Sequence, residues 1–249
     1  MLKAFFEENP RVAVAFSGGT DSAYLLYQAA KYAQSVTAYC VESIFQTEDE
    51  RDDVRRLADE LGVKLRIVMI NILADKNVVK NNEERCYHCK KALLQRVKEW
   101  AQLDFYAVII EGSNADDDPA QRPGMKALEE LGVRSPLREV GLTKADIRRL
   151  SKEAGLFTWD KPSNSCAATR VPTGVKLTLD ILKKIRNGEE RLKEMGFGDL
   201  RLRWRDGAAK LELPAEQLAM AVEKRNDIID ALSGDFTEIS IDLKGRRGT

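Results

Sequence analysis

The chain has 249 residues, of which 43% are hydrophobic and 32% are charged, the proportions of an ordinary globular protein. Forty basic residues balance forty acidic ones. This balance argues against a protein whose main function is to bind long nucleic acid, because affinity for the phosphate backbone comes from an excess of basic residues. No apolar run approaches the ~20 residues of a membrane span, and the amino-terminal residues lack a signal-peptide pattern. The sequence therefore predicts a cytoplasmic protein without a membrane anchor.

Strands and helices are predicted to alternate through the first two thirds of the chain. Apolar runs typical of buried strands cover residues 11–16, 36–42, 64–70 and 105–111. Helical patterns follow Ser22, cover residues 47–61, begin again near Cys86, and open once more at Thr143 with Asp146 as a capping partner. Strands that alternate with helices predict right-handed crossovers and a Rossmann-like, doubly wound parallel sheet in an α/β fold.

The pattern changes after about Val175. A helix is predicted from Thr178 to Met195, then a hairpin that turns at Asp206-Gly207, a helix from Pro214 to about Leu232, and a final strand at residues 237–243. The sequence thus predicts two domains: residues 1–174, which carry the nucleotide-binding and cysteine motifs, and residues 175–249, a smaller α+β domain for substrate binding or oligomerisation.

The motif SGGTDS links the first predicted strand to the first helix and consists of Ser17, Gly18, Gly19, Thr20, Asp21 and Ser22. Its two glycines let backbone N–H groups surround an anion, and the following helix directs its positive end there. Ser17 and Ser22 add hydroxyl donors, while Asp21 suits a phosphate site only through Mg²⁺. The motif lacks the lysine of the GxxxxGK[ST] loop. It resembles the PP-loop of the ATP pyrophosphatases, which implies that ATP is attacked at its α-phosphorus and releases pyrophosphate.

A second polar segment, EGSNADDD, follows the fourth predicted strand and should reach the same edge of the sheet. Gly112 permits a close approach, and Asn114 is a candidate ATP ligand. The roles of the three acids stay open, since each fits ribose, metal, substrate or a plain polar loop: Asp116, Asp117 and Asp118.

Three cysteines suggest metal or sulfur chemistry. Cys86 and Cys89 form a CxxC motif at a predicted helix start, and Cys166 lies in PSNSCAATR. A lone CxxC fits half a zinc site, a dithiol, or ligands of an iron–sulfur cluster. His88, the single histidine, is badly placed inside the CxxC to complete a zinc site. Cys40 lies within a predicted buried strand and is expected to be core packing.

Together with RCYHCK, RPGMKALEELGVRSPL, WDKPSNSCAATR and DLKGRRGT, these motifs resemble the LarE-type ATP-dependent sulfur transferases over nearly the whole chain. The resemblance implies a PP-loop (HUP-type) fold and a role in synthesis of the nickel-pincer nucleotide cofactor of lactate racemase. The implied substrate is a pyridinium dicarboxylate mononucleotide, whose carboxylate is adenylated by MgATP and then converted to a thiocarboxylate. Asp21 would hold Mg²⁺ during that activation.

The same resemblance gives two interpretations of the cysteines. In single-cysteine members, the cysteine that matches Cys166 surrenders its own sulfur. Three-cysteine members are thought to hold a [4Fe–4S] cluster that carries an extra sulfide. Because this chain also has Cys86 and Cys89, we expect these two residues and Cys166 to hold such a cluster, with a sacrificial Cys166 as the alternative. Sulfide or a sulfur-donor protein is an expected partner, and the family's tendency to form rings predicts a homo-oligomer.

The predicted hairpin carries arginines on one face, because Leu200, Leu202 and Trp204 share the other. A two-residue turn places Arg201 opposite Glu212 and Arg203 opposite Lys210. The resemblance places Arg201 and Arg203 at the substrate phosphate and gives Glu189 and Glu212 an acidic role nearby. Arg170 is a candidate contact of the adenylate or substrate. The alternative for the hairpin is a solvated face with one cross-strand ion pair.

Three other functions use similar motifs. A tRNA thiolase can pair a PP-loop with three cluster-binding cysteines, but the balanced charge and the lack of a recognisable RNA-binding module weigh against it. An amide-forming synthetase that uses ammonia would have no need of the three cysteines. A non-enzymatic nucleotide- or metal-binding module would release no pyrophosphate.

Overall fold

The computed structural model describes residues 2–118, 122–161 and 165–246. These residues form two compact units. The first unit comprises residues 1–72 and 84–161, and the second comprises residues 73–83 and 162–249. The domain boundary expected between residues 174 and 175 stays a prediction, and the compact units divide elsewhere, since residues 162–174 and the short segment 73–83 group with the carboxyl-terminal unit.

The strands in chain order are β1 Arg11–Ala15, β2 Ser35–Glu42, β3 Lys64–Met69, β4 Val108–Ile110, β5 Arg201–Arg205, β6 Ala208–Glu212 and β7 Ile239–Ile241. The α-helices are α1 Leu2–Glu8, α2 Thr20–Tyr32, α3 Glu48–Glu60, α4 Lys76–Val79, α5 Arg85–Leu103, α6 Met125–Leu131, α7 Pro136–Glu139, α8 Lys144–Glu153, α9 Leu179–Glu194, α10 Leu218–Glu223 and α11 Arg225–Leu232. Short 3₁₀ turns lie at Ile72–Ala74, Ala167–Arg170 and Ala215–Gln217.

The first unit is built on a parallel sheet with the strand order β3-β2-β1-β4. Alternate residues of β1 face opposite layers of helices, because side chains alternate along a strand. Val12 and Val14 pack with α1, α2, α3 and α8, whereas Ala13 packs with α5 and α6. Helices on both faces confirm the predicted Rossmann-like, doubly wound α/β fold.

Helix caps place the ends of α3 and α8 as the sequence predicts. Thr143 accepts a hydrogen bond from the backbone N–H of Asp146, and the Asp146 carboxylate accepts one from the N–H of Thr143. Thr47 and Glu50 form the same reciprocal box at α3. The predicted strand at residues 105–111 is shorter in the structure, because Phe105 adopts a left-handed φ of 62° that ends α5.

Cys40 lies in β2 with 1% of its surface exposed. Burial raises the pKa of its thiol to about 11, so the group stays neutral in the core. The expectation that Cys40 is core packing is confirmed.

The second unit contains a smaller sheet, in which β5 and β6 are antiparallel and β7 adds parallel to β6. The predicted hairpin register is confirmed: Arg201 pairs with Glu212 and Arg203 with Lys210. The single helix predicted from Pro214 to Leu232 is wrong, since a 3₁₀ turn precedes α10 and the backbone leaves helical geometry at Lys224 before α11. The Lys224 ammonium binds the Met195 carbonyl, a tertiary contact that accompanies this break.

Segment 73–83 joins the second unit through Asn81, whose side chain is 1% exposed. Its amide donates hydrogen bonds to the carbonyls of Val171, Pro172 and Val175 at 2.8–3.4 Å. Asn81 has a left-handed φ of 53°, a conformation that asparagine tolerates better than most residues. These contacts tie the segment just before α5 to the segment that follows the Cys166 loop.

Within the described parts of the chain, no helix is both long enough and apolar enough to cross a membrane.

Candidate active site

The SGGTDS loop leaves the carboxyl end of β1 and enters α2 at Thr20. Gly18 has a left-handed φ of +76°, and a Cβ atom there would lie 2.7 Å from Cγ2 of Val54. Any other residue would therefore strain the backbone and overlap with Val54. The Oγ atoms of Ser17 and Ser22 lie 3.1 Å apart in a hydrogen bond. The loop is thus a tight backbone turn at a helix start, which is the geometry expected of an anion site.

Gly112 provides the close approach that the sequence predicts. It follows β4, and a Cβ atom on it would lie 2.7 Å from the backbone nitrogen of Ser22 and 2.9 Å from its Cα. Since both neighbouring atoms belong to the backbone, no side-chain movement would relieve this overlap. The chain after β4 therefore packs directly on the first turn of α2.

Asp21 has partners on two other segments. Its two carboxylate oxygens each accept a hydrogen bond of 2.7 Å from Nζ of Lys144, the first residue of α8. Nδ2 of Asn114 donates to the same carboxylate at 3.2 Å. Asn114 therefore meets the loop as expected, whereas Lys144 is a site residue that the sequence reasoning missed. The only local signal was its position beside the Thr143 cap.

Two of the three acids left open by the sequence shape the segment around Asn114. The Asp116 carboxylate accepts a 2.7 Å hydrogen bond from the backbone N–H of Lys144 and so supports the start of α8. Asp117 is buried, accepts a hydrogen bond from the N–H of Asn114, and pairs with Arg122 at 2.8 Å. Asp118 is exposed. Asp116 and Asp117 therefore shape the segment that carries Asn114.

Glu111 at the end of β4 is a buried carboxylate with four donors around it. Ser135 donates at 2.6 Å, Lys90 at 3.1 Å, and the hydroxyl and backbone N–H of Ser113 at 2.9 Å each. Burial by itself raises the pKa of Glu111, but the Lys90 ammonium and these donors outweigh it and hold that pKa below its usual value. Lys90 belongs to the CxxC helix α5, so this ion pair links α5 to the loop edge of the sheet.

A second lysine approaches the loop from the end of the first unit. Nζ of Lys161 lies 3.4 Å from the carbonyl oxygen of Gly18 and forms an ion pair with Asp53. Thr20 donates its hydroxyl to the Thr158 carbonyl at 2.8 Å. The segment around residues 158–161 therefore packs against one side of the loop, a contact that no sequence pattern predicted.

In the second unit, Cys166 is exposed and caps the 3₁₀ turn Ala167–Arg170. Arg170 is 2% exposed, and its guanidinium group forms hydrogen bonds with this turn. Its Nη1 donates to the Cys166 carbonyl at 3.2 Å and to the Ser165 hydroxyl at 2.9 Å. On its other side, the Arg170 guanidinium forms a forked pair with Glu189 at 3.0 and 3.3 Å.

Glu189 is 8% exposed and lies on α9. Besides Arg170, it accepts a 2.9 Å hydrogen bond from the backbone N–H of Leu202 in β5. The carboxylate thus joins α9, β5 and the Cys166 turn. This geometry positions Arg170, because a guanidinium fork matches a carboxylate in a fixed plane.

Arg201 is buried at the start of β5, where an exposed arginine face was one alternative. Burial lowers the pKa of Arg201 to about 10, and the nearby guanidinium groups of Arg170 and Arg246 add to this effect. Its Nε donates to the Ser165 hydroxyl at 3.3 Å, and Nη1 donates to the Leu200 carbonyl at 2.8 Å. Asp199 pairs with Nη1 of Arg201 at 3.4 Å, and Asp199 and Glu189 partly offset the lowering of this pKa. Because burial and the two other guanidinium groups still prevail, a further anion would stabilise the charged form of Arg201.

Arg203 and Glu212 form the cross-strand ion pair of the hairpin, at 2.9 Å. The sequence had placed Glu212 opposite Arg201, and the backbone register agrees, but the carboxylate reaches diagonally to Arg203. Nη1 of Arg203 donates to the Thr169 carbonyl at 2.7 Å. Arg170, Arg201 and Arg203 therefore all contact the segment that carries Cys166.

Comparison with known proteins identifies the family of the chain. A PP-loop domain model (ATP_bind_3) matches residues 1–117. The chain is 32% identical over 251 residues to the pyridinium-3,5-bisthiocarboxylic acid mononucleotide synthase of Lactiplantibacillus plantarum, a match that covers 99% of this chain and 90% of that protein. The chain belongs to the LarE-type sulfur transferase family. This membership makes it an adenylating sulfur-transferase enzyme with a PP-loop.

Two further relatives also match the LarE-type chain from end to end. An uncharacterized protein of Synechocystis is 32% identical, over 98% of this chain and 92% of that protein. An uncharacterized protein of Methanocaldococcus jannaschii is 27% identical, over 98% of this chain and 93% of that protein. Both units of the chain are therefore common to these relatives. Residues 162–164 and 247–249, parts of two motifs behind the family resemblance, lie outside the described residues.

The LarE-type chain carries its three motif cysteines in both units. Cys86 and Cys89 lie in the first two turns of α5, three residues apart and therefore on one face of the helix, and Cys86 is exposed. Cys166 belongs to the second unit. Among the residues that the structure describes, no group of three or more His, Cys, Asp or Glu side chains is arranged to hold a metal ion. The iron–sulfur cluster stays a prediction.

Proposed function

We propose that the chain adenylates a carboxylate of a pyridinium dicarboxylate mononucleotide and converts it to a thiocarboxylate during synthesis of a nickel-pincer nucleotide. Support comes from the relative that is a pyridinium-3,5-bisthiocarboxylic acid mononucleotide synthase and matches over 99% of this chain. The observation that carries the proposal is the convergence of Arg170, Arg201 and Arg203 on the Cys166 segment, which suits a substrate phosphate next to a sulfur site.

In the first unit, the loop between Ser17 and Ser22 would bind the β- and γ-phosphates of ATP through backbone N–H groups. Asp21 fits the Mg²⁺ that accompanies ATP, since that ion commonly takes one carboxylate together with phosphate oxygens. The substrate carboxylate would attack the α-phosphorus, so that pyrophosphate leaves and an acyl-adenylate forms. Asn114 would hold the Asp21 carboxylate in place.

In the second unit, Arg201 and Arg203 would bind the phosphate of the mononucleotide. Arg201 favours an anion because burial and neighbouring guanidinium groups depress its pKa to about 10. Glu189 would act by positioning Arg170, whereas Glu212 would orient Arg203. Sulfide would then attack the activated carboxyl carbon, and AMP would leave with the electron pair of the C–O bond.

The cysteines suit an iron–sulfur cluster in their chemistry, because thiolates are its usual ligands. Cys86 and Cys89 share one helix face at an accessible helix start, and Cys166 is exposed. A [4Fe–4S] cluster on these three residues would have one iron without a protein ligand and would supply a sulfide to the activated substrate. The alternative mechanism uses the sulfur of Cys166 itself and converts that residue to dehydroalanine.

The deciding experiment measures iron and acid-labile sulfide per chain after purification and reconstitution without oxygen. Wild type is compared with Cys166→Ala, Cys86→Ala and the buried control Cys40→Val. We expect about four irons per chain in wild type and Cys40→Val, and loss of the cluster in the two other variants. Thiocarboxylate formation from ATP and the mononucleotide is followed by mass spectrometry.

Three outcomes separate the alternatives. Product formed in several turnovers per iron-loaded chain supports the cluster mechanism. Product formed once per chain, with intact protein that has lost the elements of H₂S at Cys166 and contains no iron, establishes the sacrificial mechanism. Pyrophosphate release with no thiocarboxylate from this substrate overturns the proposed function. Homo-oligomerisation is a separate prediction, which light scattering of the full chain tests.

A further inference from the structure

The PP-loop of this chain contains no cation, although the phosphates it is proposed to bind stay anionic even with Mg²⁺ bound. In the GxxxxGK[ST] loop, a lysine of the motif itself binds the phosphates. Here the loop residues are Ser17–Ser22, and the one charged residue among them is an acid, Asp21. A side-chain cation that assists the backbone N–H groups would therefore come from another segment of the fold.

Three lysines of the first unit border this edge, and their partners distinguish them. Lys90 pairs with Glu111 and Lys161 with Asp53, both of which are carboxylates outside the loop, although Lys161 also contacts the Gly18 carbonyl. Lys144 pairs with Asp21, the loop's own carboxylate. Its ammonium lies 2.7 Å from both carboxylate oxygens of Asp21, the residue that would hold Mg²⁺.

We propose that Lys144 supplies the phosphate-binding cation that the loop lacks: its ammonium neutralises Asp21 in the free protein and moves to the pyrophosphate portion of ATP when Mg²⁺ takes the carboxylate. The proposal rests on the assignment of ATP to this loop. Mg²⁺ and an ammonium group cannot occupy the same side of one carboxylate, so Mg²⁺ binding displaces Lys144. The displaced ammonium is then free to bind a phosphate held in the loop.

The anchoring of Lys144 fits such an exchange. Its backbone N–H is fixed by the Asp116 carboxylate at 2.7 Å, at a helix start capped by Thr143 and Asp146. Its side chain is 35% exposed and the Asp21 side chain 21% exposed, so water can reach the pair. A lysine stem has four flexible carbons, which lets the charged group move while the backbone stays in place.

The test compares Lys144→Gln, Lys144→Arg and the control Lys152→Gln, whose residue lies on the same helix and faces Trp159. Dissociation constants are measured by calorimetry for MgATP, magnesium pyrophosphate and AMP. Loss of one charged hydrogen-bond donor should raise Kd for MgATP and magnesium pyrophosphate by about tenfold or more. AMP affinity should stay unchanged in Lys144→Gln, and Lys144→Arg and Lys152→Gln should remain close to wild type.

If Lys144 were only a counter-ion of Asp21, its removal would free the carboxylate for Mg²⁺, so MgATP would bind equally well or more tightly. That result overturns the proposal, as does an equal loss of affinity for AMP and pyrophosphate, which would mean a general support of the loop. If wild type binds neither MgATP nor pyrophosphate, the ATP assignment itself fails, and this outcome is distinct from a failure at Lys144.

Discussion

The loop edge of the first unit and the arginine cluster of the second differ in how they would bind anions. The first uses backbone groups, glycines and a half-exposed ion pair, Lys144 with Asp21. The second uses buried side chains, with Arg170 at 2% and Arg201 at 5% exposure. A solvated pair exchanges partners at small cost, whereas a buried pair holds its geometry and is costly to break. We therefore expect side chains of the first site to change partners when a ligand binds, and side chains of the second site to keep their positions.

The largest expected effect is on the stability of the second unit. Arg170→Met removes one partner of a buried pair and leaves the Glu189 carboxylate without its guanidinium. We expect a loss of about 3–5 kcal/mol in the free energy of unfolding. Urea unfolding is followed by Trp204 fluorescence in a Trp100→Phe/Trp159→Phe background.

The matched control for Arg170 is Arg205→Met, which removes an exposed arginine from β5 and should leave that transition unchanged. A loss below about 1 kcal/mol in Arg170→Met would place the pair among ordinary surface ion pairs. The contrast between the two units would then disappear.

The second prediction concerns substrate binding by the fixed cluster. Arg201→Gln should raise KM for the mononucleotide by about tenfold or more, as expected for a lost charged hydrogen bond. The kcat should change less, because the substrate's phosphate takes no part in the bonds that form and break at the carboxyl group. Steady-state kinetics of thiocarboxylate formation measure both, with Arg205→Gln as the control. An unchanged KM would show that the phosphate binds elsewhere.

The third prediction tests how closely the first site depends on backbone contact. Gly112→Ala places a Cβ atom 2.7 Å from the backbone nitrogen of Ser22 and forces the loop to move. We expect a loss of about 1–3 kcal/mol in stability together with weaker binding of MgATP. Gly234→Ala is the control, because a Cβ atom there meets nothing within 4 Å. Normal MgATP affinity in Gly112→Ala would contradict the tight packing of these segments.

The smallest expected effect is a pH dependence centred on Glu111. Its pKa in the folded state lies below the ordinary 4.5, so its charged form stabilises the fold above that pH. This contribution should diminish as the pH falls from 4.5 through the folded-state pKa, and Glu111→Gln should lack it. Urea unfolding at a series of pH values compares the two proteins, with the surface variant Glu60→Gln as reference. Parallel pH profiles for wild type and Glu111→Gln would refute this role.

Sequence patterns were sufficient for most elements near the sites. The alternation of β1, β2 and β3 with α2 and α3 follows from local periodicity, and the capping pairs mark helix starts. The turn at Asp206-Gly207 fixed the register of β5 and β6. The predicted helix from Pro214 to Leu232 was wrong at Lys224, where the helix breaks and the side chain binds the carbonyl of Met195, a residue distant in sequence.

The sequence by itself determined the loop, the cysteine positions, the α/β class and the family resemblance, because each depends on residues close together along the chain. Only the tertiary structure decided which side chains meet: Lys144 with Asp21, Lys161 with Asp53, and Arg170 with Glu189. Each pairing joins separate segments and depends on how helices pack on strands. A local sequence pattern shows which residue types are present, but which of them come into contact depends on how the helices pack on the sheet.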